Sequence, residues 1–480
     1  MPEQERDASF FETYHSVFEW RYGSDEMRNI WSEENRWLKV RDVWIAAATV
    51  QNGLGLVTDE ELADLVAHRN DLDVARIFAL ERSQGHDVAA AIAEFGEKAT
   101  VGGRIVHNGM TSEDVLSNAE MLRMQEALRL TGTRLDSTLL AFADRMEQTK
   151  DIPTLGLTHL QAAEPIPLGY RLARYAQDLM LNREQLQFTQ RMLRGKGVKG
   201  AVGTSASFAH ILEGTGTTPR EHEDRIMGIL GLPAVIIAGQ AYPRQLDLRA
   251  VHTLSEIAAS LHRFSLDQQI FQSSFAMEWE EPRRKNQIGS SAMPWKRNPN
   301  VGENICSLAM GVTGKTFDAW MIAATETGER TLRDSAGKRS WLPESFLIVD
   351  EALMKTERNI RGMKFNEEPI RHNLERFSSF SALELVLAEA VHHDANRQEM
   401  HEIIREHSMT AAEAIQRGEE NPIQTLIMGD SRITNHVSVD RIEELFQEVY
   451  THVGDAPERT QEFADLIREA IAQDQKKKKE

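Results

Sequence analysis

The segment Gly289-Ser290-Ser291-Ala292-Met293-Pro294-Trp295-Lys296-Arg297-Asn298-Pro299 sets two hydroxyls, a lysine and an asparagine close together after a glycine. A glycine-flanked loop can turn successive backbone N–H groups toward an anion. Lys296 adds a full positive charge and Asn298 a neutral donor. Such a set could stabilise negative charge that develops on a carboxylate while a nearby hydroxyl handles a proton. On residue type alone the string also fits a polar surface loop, with Met293 and Trp295 tucked onto a core.

Two further strings carry chemistry. In His107-Asn108-Gly109-Met110-Thr111-Ser112-Glu113-Asp114, Thr111 or Ser112 reads as a helix N-cap with Asp114 in the first turn. A helix N-terminus with two hydroxyls, and His107 beside it, makes an anion site or simply a cap. In Gly156-Leu157-Thr158-His159-Leu160-Gln161-Ala162-Ala163-Glu164-Pro165, His159 falls in a loop just ahead of a helix. Histidine is the side chain best suited to deliver a proton near neutral pH, although a lone loop histidine is usually ordinary.

The elements that must position these strings are helical. Residues 114–149 contain no proline, and Leu128, Leu135, Leu139, Phe142 and Met146 follow the spacing of one helix face. Leu168, Leu172, Tyr175, Leu179 and Leu186 repeat the pattern after Pro165 and Pro167. Val251, Leu254, Ala258, Leu261 and Phe275 repeat it in a proline-free stretch from 247 to 281. Helices of this length exceed those of ordinary globular domains and predict a long bundle. β-like segments are few: Ala234–Ala238 and Arg104–His107. With 480 residues the chain exceeds the size at which one core stops growing. The glycines before Thr111 and the break near Phe365–Pro369 divide it into an N-terminal helical domain (1–113), a central long-helix bundle (114–366) and a C-terminal helical domain (367–480). The expected class is all-α.

Composition excludes several functions. A formal charge of −19 argues against binding a nucleic-acid backbone, so an anionic substrate needs a local cationic pocket. No apolar run reaches the roughly 20 residues that span a bilayer, and the polar stretch Met1–Asp7 is no secretory signal. Cys306 is the lone cysteine, which rules out an intrachain disulfide and suits a cytoplasmic compartment. The histidines show no metal-ligand spacing, and His392-His393 are adjacent and expected to point apart. Neither metal nor organic cofactor is expected. The lysines Lys476–Lys479 read as a solvated helix end or a disordered stub.

Taken whole, the first string resembles the GSSxMPxKxNP signature of the fumarase/aspartase superfamily, whose members break or make a bond beside a carboxylate and release fumarate. The other two are similar to its HxGxTSxD and THxQxAxP motifs. That resemblance implies a three-domain fold whose long helices bundle into a homotetramer, with each active site shared between subunits. It implies Ser290 as base, His159 as general acid oriented by Glu303, and Lys296 and Asn298 stabilising the intermediate. It further implies that Thr111 and Ser112 hold a substrate carboxylate, with His107 nearby.

Along the rest of the chain the resemblance narrows to the adenylosuccinate lyase branch. Arg21-Tyr22-Gly23-Ser24-Asp25-Glu26-Met27 is similar to its RYxSxEM pattern, and His86-Asp87-Val88 to its HDV segment. Gly200–Thr204 and Gly239-Gln240-Ala241-Tyr242 match two further stretches, and Glu329–Arg339 resembles its ERxLxxSxxxR block. By resemblance, Arg21, Tyr22, Arg330, Ser335 and Arg339 contact a nucleotide phosphate, while His86, Asp87 and Gln240 line the nucleotide site. The implied reaction releases fumarate from adenylosuccinate, and from the succinyl-carboxamide imidazole ribotide as well. Two positions depart from the common pattern: Gly85, where a basic residue often stands, and Asn304, where some members carry arginine. The alternatives are another fumarate-releasing lyase or cycloisomerase of the superfamily, a non-catalytic structural protein on the same fold, and a helical scaffold with no small-molecule site.

Overall fold

Short polar side chains open the helices where the sequence offers them. Ser32 Oγ accepts from the Asn35 N–H at the start of Glu33–Asn52. Thr58 with Glu61, and Thr218 with Glu221, form reciprocal capping boxes ahead of Asp59–Ala67 and Pro219–Leu230. A computed structural model describes Ala8–Lys477, so the readings of Met1–Asp7 and of Lys478 and Lys479 lie outside the described residues. Among the described residues six helices of 25 or more residues dominate: Ser112–Thr149, Leu168–Met192, Gln245–Gln272, Asn300–Thr325, Ser335–Gly362 and Glu367–His392. The fold is all-α apart from two short antiparallel pairs. None of the described helices is long and apolar enough to cross a membrane.

The chain forms two compact units. One comprises Met1–Asp136, Leu181–His262 and Ile305–Met354, and the other Ser137–Met180, Arg263–Asn304 and Lys355–Glu480. The predicted helix faces are buried: Leu128, Leu135, Leu139, Phe142, Met146, Leu168, Leu172, Tyr175, Leu179, Leu186, Val251, Leu254, Ala258 and Leu261. Each large side chain among them contributes roughly 1.5–3 kcal/mol of hydrophobic stabilisation. In the first unit Trp37, Val40, Trp44, Leu65 and Phe95 share a core. Beside it Arg41 stacks on Phe95 and pairs with buried Glu94 at 2.6 Å. In the second unit Phe264 meets Phe142 and Tyr175 edge to face, at 5.1 and 5.4 Å.

Several local expectations fail for identifiable reasons. Ala234–Ala238 forms no strand. It makes one parallel bridge to Gly195, and the chain then bends at Ile236 and Ile237, which are exposed, so no ladder continues. Arg104 and Ile105 close the 3-10 segment Gly102–Ile105, and Val106 and His107 fall in the turn that follows it. There the backbone runs so close to its neighbours that a Cβ on Gly102 would lie 2.4 Å from the Glu61 carbonyl. The third long helix stops at Gln272, where Ser273 and Ser274 follow, and Phe275 is 96% exposed instead of packed. Met293 and Trp295 are exposed, so neither anchors the loop to a core. His392 and His393 do touch, their rings 5.5 Å apart and edge to face, because the helix ends between them.

The strands that matter are Pro153–Thr158 and Gln161–Pro167, an antiparallel hairpin in the second unit. Pro153 pairs with Pro167, Thr154 with Ile166, Leu155 with Pro165, Leu157 with Ala162 and Thr158 with Gln161. The register shifts at Gly156, where a Cβ would lie 2.3 Å from the Glu164 carbonyl. His159, expected in a loop just ahead of a helix, stands at the tip of this hairpin.

Candidate active site

The first turn of the Ser112–Thr149 helix sends successive side chains to three parts of the first unit. Ser112 Oγ lies 3.4 Å from Nε2 of His86, the N-cap of the Asp87–Lys98 helix. Glu113 Oε1 lies 2.8 Å from Arg330 Nη2. Asp114 is fully buried; its Oδ1 accepts from Lys196 Nζ at 2.6 Å, and its Oδ2 from the Thr111 and Gly200 N–H groups at 2.9 and 3.1 Å. One acidic turn thereby fixes the Thr111-Ser112 pair and the Gly200–Thr204 segment together. His107 sits just before it with φ 69°. Trp44 Nε1 donates to His107 Nδ1 at 3.1 Å, which leaves the ring proton on Nε2. Burial lowers the pKa of His107, favouring the neutral ring.

A cavity of about 520 Å³ in this unit gathers His86, Asp87, Ser112, Gln240, Arg330, Ser335 and Arg339. Gly85 ends the Val74–Gln84 helix with φ 71°, a left-handed cap that a basic residue would adopt only under strain. That accounts for glycine at this departure from the family pattern. Arg330 and Arg339 differ in setting: their side chains are 16% and 56% exposed. Pro343 lines the same cavity and lies inside the Ser335–Gly362 helix, so the Arg339 carbonyl lacks its i+4 donor.

Four expected residues of this unit do not line this cavity. Thr111 and His107 lie outside it, at the entry to the helix. Arg21 and Tyr22 belong to a separate turn, where Gly23 N donates to Glu351 Oε2 at 3.0 Å and Ser24 N to Asp350 Oδ2 at 2.7 Å. Arg21 is exposed, its guanidinium 5.6 Å from the Trp20 ring.

The cavity is not simply cationic, which corrects the expectation from charge alone. Arg330 pairs with Glu113, Arg36 with Glu33 and Asp87, Arg339 with Asp87, and Arg244 with Asp334. Lys338 Nζ contacts Glu120 Oε2 at 2.6 Å and the Tyr242 hydroxyl at 3.2 Å. Burial opposes ionisation of Glu120, but Lys338 and Arg244 outweigh it and hold its pKa down to about 2. Arg123 donates instead to the Ile30 and Trp31 carbonyls. A phosphate dianion entering here would exchange carboxylate partners for its own oxygens.

The second unit holds the remaining expected residues. Thr158 and Gln161 pair across a two-residue turn in which His159 and Leu160 have φ of 54° and 58°. Such turns favour Asn-Gly, because side chains of other types are strained there. The Ser290 loop is tied at its base. Glu281 is buried and accepts from the Val301 N–H at 2.9 Å, at the start of the Asn300–Thr325 helix. Burial raises the pKa of this carboxyl against the pull of the N–H groups at that helix start. Glu280 pairs with Arg297 at 2.8 Å. Within the loop Ser290 Oγ accepts from the Met293 N–H at 3.1 Å, and Asn298 Nδ2 donates to the Gly289 carbonyl at 3.1 Å. A Cβ on Gly289 would lie 2.3 Å from the Lys296 carbonyl, so this turn requires glycine. Lys296 and Glu303 are exposed. Among the described residues no hydrogen bond or ion pair joins Glu303 to His159, so one chain does not form the expected orienting contact.

A family model described as Lyase matches residues 21–314, and one described as Adenylosuccinate lyase C-terminus matches residues 380–463. The chain is 33% identical over 460 residues to the adenylosuccinate lyase of Saccharomyces cerevisiae, covering 94% of each. It is 33% identical to that of Schistosoma mansoni, covering 88% of each.

The chain belongs to the adenylosuccinate lyase family.

Another member of the family, from Archaeoglobus fulgidus, is 30% identical, covering 94% of this chain and 98% of that protein. Among solved structures, a fumarate lyase from Mesorhizobium sp. BNC1 superposes with a TM-score of 0.81 at 20% identity, covering 94% of this chain and 99% of that one. The 3-carboxy-cis,cis-muconate lactonizing enzyme of Pseudomonas putida superposes with a TM-score of 0.80 at 22% identity, covering 95% of this chain and all of that one. Likeness at that identity speaks to the fold. For the adenylosuccinate lyase family, the motifs supplied the residues facing the cavity but missed Arg36, Glu113, Glu120 and Lys338, which set their charge. Glu113 and Lys338 lie inside matched strings, and an acid beside Ser112 or a base beside Arg339 was the available signal.

Proposed function

We infer that this chain eliminates fumarate from adenylosuccinate to give AMP, and from the succinyl-carboxamide imidazole ribotide in the same way. The observation that carries this reading is the cavity in which Arg330, Ser335 and Arg339 stand with Gln240, Ser112 and His86. Arginine forks suit a phosphate, and the helix N-terminus suits a carboxylate. In the reaction Ser290 takes the proton from the carbon beside a carboxylate, and Lys296 and Asn298 stabilise the resulting dianion with Thr111 and Ser112. The C–N bond then breaks, its electron pair passes to nitrogen, and His159 supplies the proton there while fumarate leaves. A serine hydroxyl is a weak base, so its alkoxide needs loop N–H groups and the Lys296 charge.

We further place the enzyme in the cytoplasm, with three domains divided near Glu113 and Asn366, and as a homotetramer. Exposed Met310, Phe317, Trp320 and Met321 on the Asn300–Thr325 helix support self-association, Phe317 and Trp320 being stacked 6.3 Å apart. A shared site would let a neighbouring chain supply the carboxylate partner expected for His159. The test is incubation with adenylosuccinate, followed by ultraviolet absorbance and product chromatography. Equal amounts of AMP and fumarate are expected. A folded protein that releases neither would end this reading and turn attention to other succinyl-amine substrates.

A further inference from the structure

We propose that Glu113 is a positioning residue for phosphate recognition, acting through Arg330. The proposal rests on the reading that Arg330 receives the nucleotide phosphate. The Arg330 guanidinium is held at two nitrogens: Nη2 lies 2.8 Å from Glu113 Oε1, and Nη1 donates to Gln240 Oε1 at 3.3 Å. Gln240 is itself fixed, because its N–H donates to the Glu329 carbonyl at 3.0 Å. The backbones meet so closely that a Cβ on Gly239 would lie 2.5 Å from that carbonyl. The second Glu113 oxygen accepts from Ser117 Oγ at 2.5 Å, one turn along the same helix. Both carboxylate oxygens of this buried residue are therefore committed, and the arginine they orient faces the cavity.

This arrangement has a physical consequence. An unrestrained arginine samples many rotamers and must be ordered when its ligand binds. Glu113 fixes that order beforehand, in register with Ser112, its chain neighbour. The carboxylate also competes with phosphate for the guanidinium, so it orients Arg330 while moderating its affinity. A neutral acceptor of the same shape keeps the first effect and removes the second.

The test compares calorimetric binding of AMP with that of adenosine, which lacks the phosphate, alongside steady-state kinetics on adenylosuccinate. Glu113→Ala should weaken AMP binding and raise KM by roughly tenfold, with kcat within about twofold. Adenosine affinity should not change. Glu113→Gln should restore AMP binding to the wild-type level or better. Glu113→Asp, which withdraws the carboxylate by one methylene, should reproduce the AMP-specific loss and serves if the alanine variant does not fold. In an Arg330→Met background, Glu113→Ala should have no further effect on AMP binding, since the two act as one unit. Equal weakening of AMP and adenosine, a fall in kcat at constant KM, or additivity with Arg330→Met would each overturn the role of Glu113. A wild-type chain that binds no AMP would overturn the phosphate reading, and this proposal with it.

Discussion

Lys338, the chain neighbour of Arg339, holds its Nζ 2.6 Å from Glu120 Oε2. The Tyr242 hydroxyl joins the same contact, its one proton shared between Glu120 Oε2 at 2.7 Å and Asp247 Oδ1 at 2.6 Å. Asp247 lies fully buried beside them, 3.8 Å from Lys338. Lys338→Met would leave these carboxylates short of a counter-charge. We predict a loss of about 3 kcal/mol in chemical denaturation, the lower end for removing one partner of a buried pair, because Glu120 is only partly buried. The double variant Lys338→Met/Glu120→Gln should recover a large part of it. Equal losses in the single and double variants would show that the pair is not what stabilises this floor.

Ser290→Ala and His159→Ala should each fold normally and lose on the order of 10²–10⁴ in kcat, the usual contribution of a proton-transfer group. Circular dichroism with the fumarate assay checks both. Turnover at the wild-type rate in either variant removes that residue from the mechanism.

Leu160 is exposed yet holds φ 58°, so its side chain brings strain and little burial. Replacing it by glycine should raise the thermal midpoint by relieving up to about 1 kcal/mol of strain. Leu160→Val should lower it, since a β-branched side chain fits this conformation worse. Melting curves of the two variants should therefore move in opposite directions.

His222 is 0% exposed, packs 5.2 Å from the Phe208 ring, and among the described residues neither ring nitrogen finds a hydrogen-bond partner. Burial lowers its pKa from 6.5 to about 4. The unfolded chain then binds a proton that the folded chain refuses, so stability is present above pH 6.5 and is lost as pH falls from 6.5 toward 4. The loss approaches roughly 3 kcal/mol at the low end of that window. His222→Phe should flatten the stability profile between pH 6.5 and 4. A variant that keeps the wild-type slope would assign the acid sensitivity to other groups.

Much of this molecule was legible before any coordinates. Leu128, Leu135, Leu139, Phe142 and Met146 showed a helix face because apolar spacing is a local property, and all are buried. Ser112, Gln240 and Arg330 stand far apart in sequence, and only their motif resemblance announced that they would share one cavity. The hairpin at Pro153–Pro167 was missed because Gly156, Pro165 and Pro167 read as loop residues. Its two strands gain from pairing with each other, not from intrinsic propensity. Phe275 was misplaced because periodicity continues past the serines that end the helix.

The sequence by itself determined the residue types able to do chemistry, the long helices that carry them, and the family. Tertiary structure alone decided how the charges pair. A sequence counts Arg36, Arg330, Lys338 and Arg339 as four cations, but Coulomb energy depends on distance and burial. Only folding sets Glu113, Glu120 and Asp87 against them. Folding also put His159 and Leu160 at a strained turn, because a backbone dihedral is imposed by the strands on either side and not by the residue that bears it.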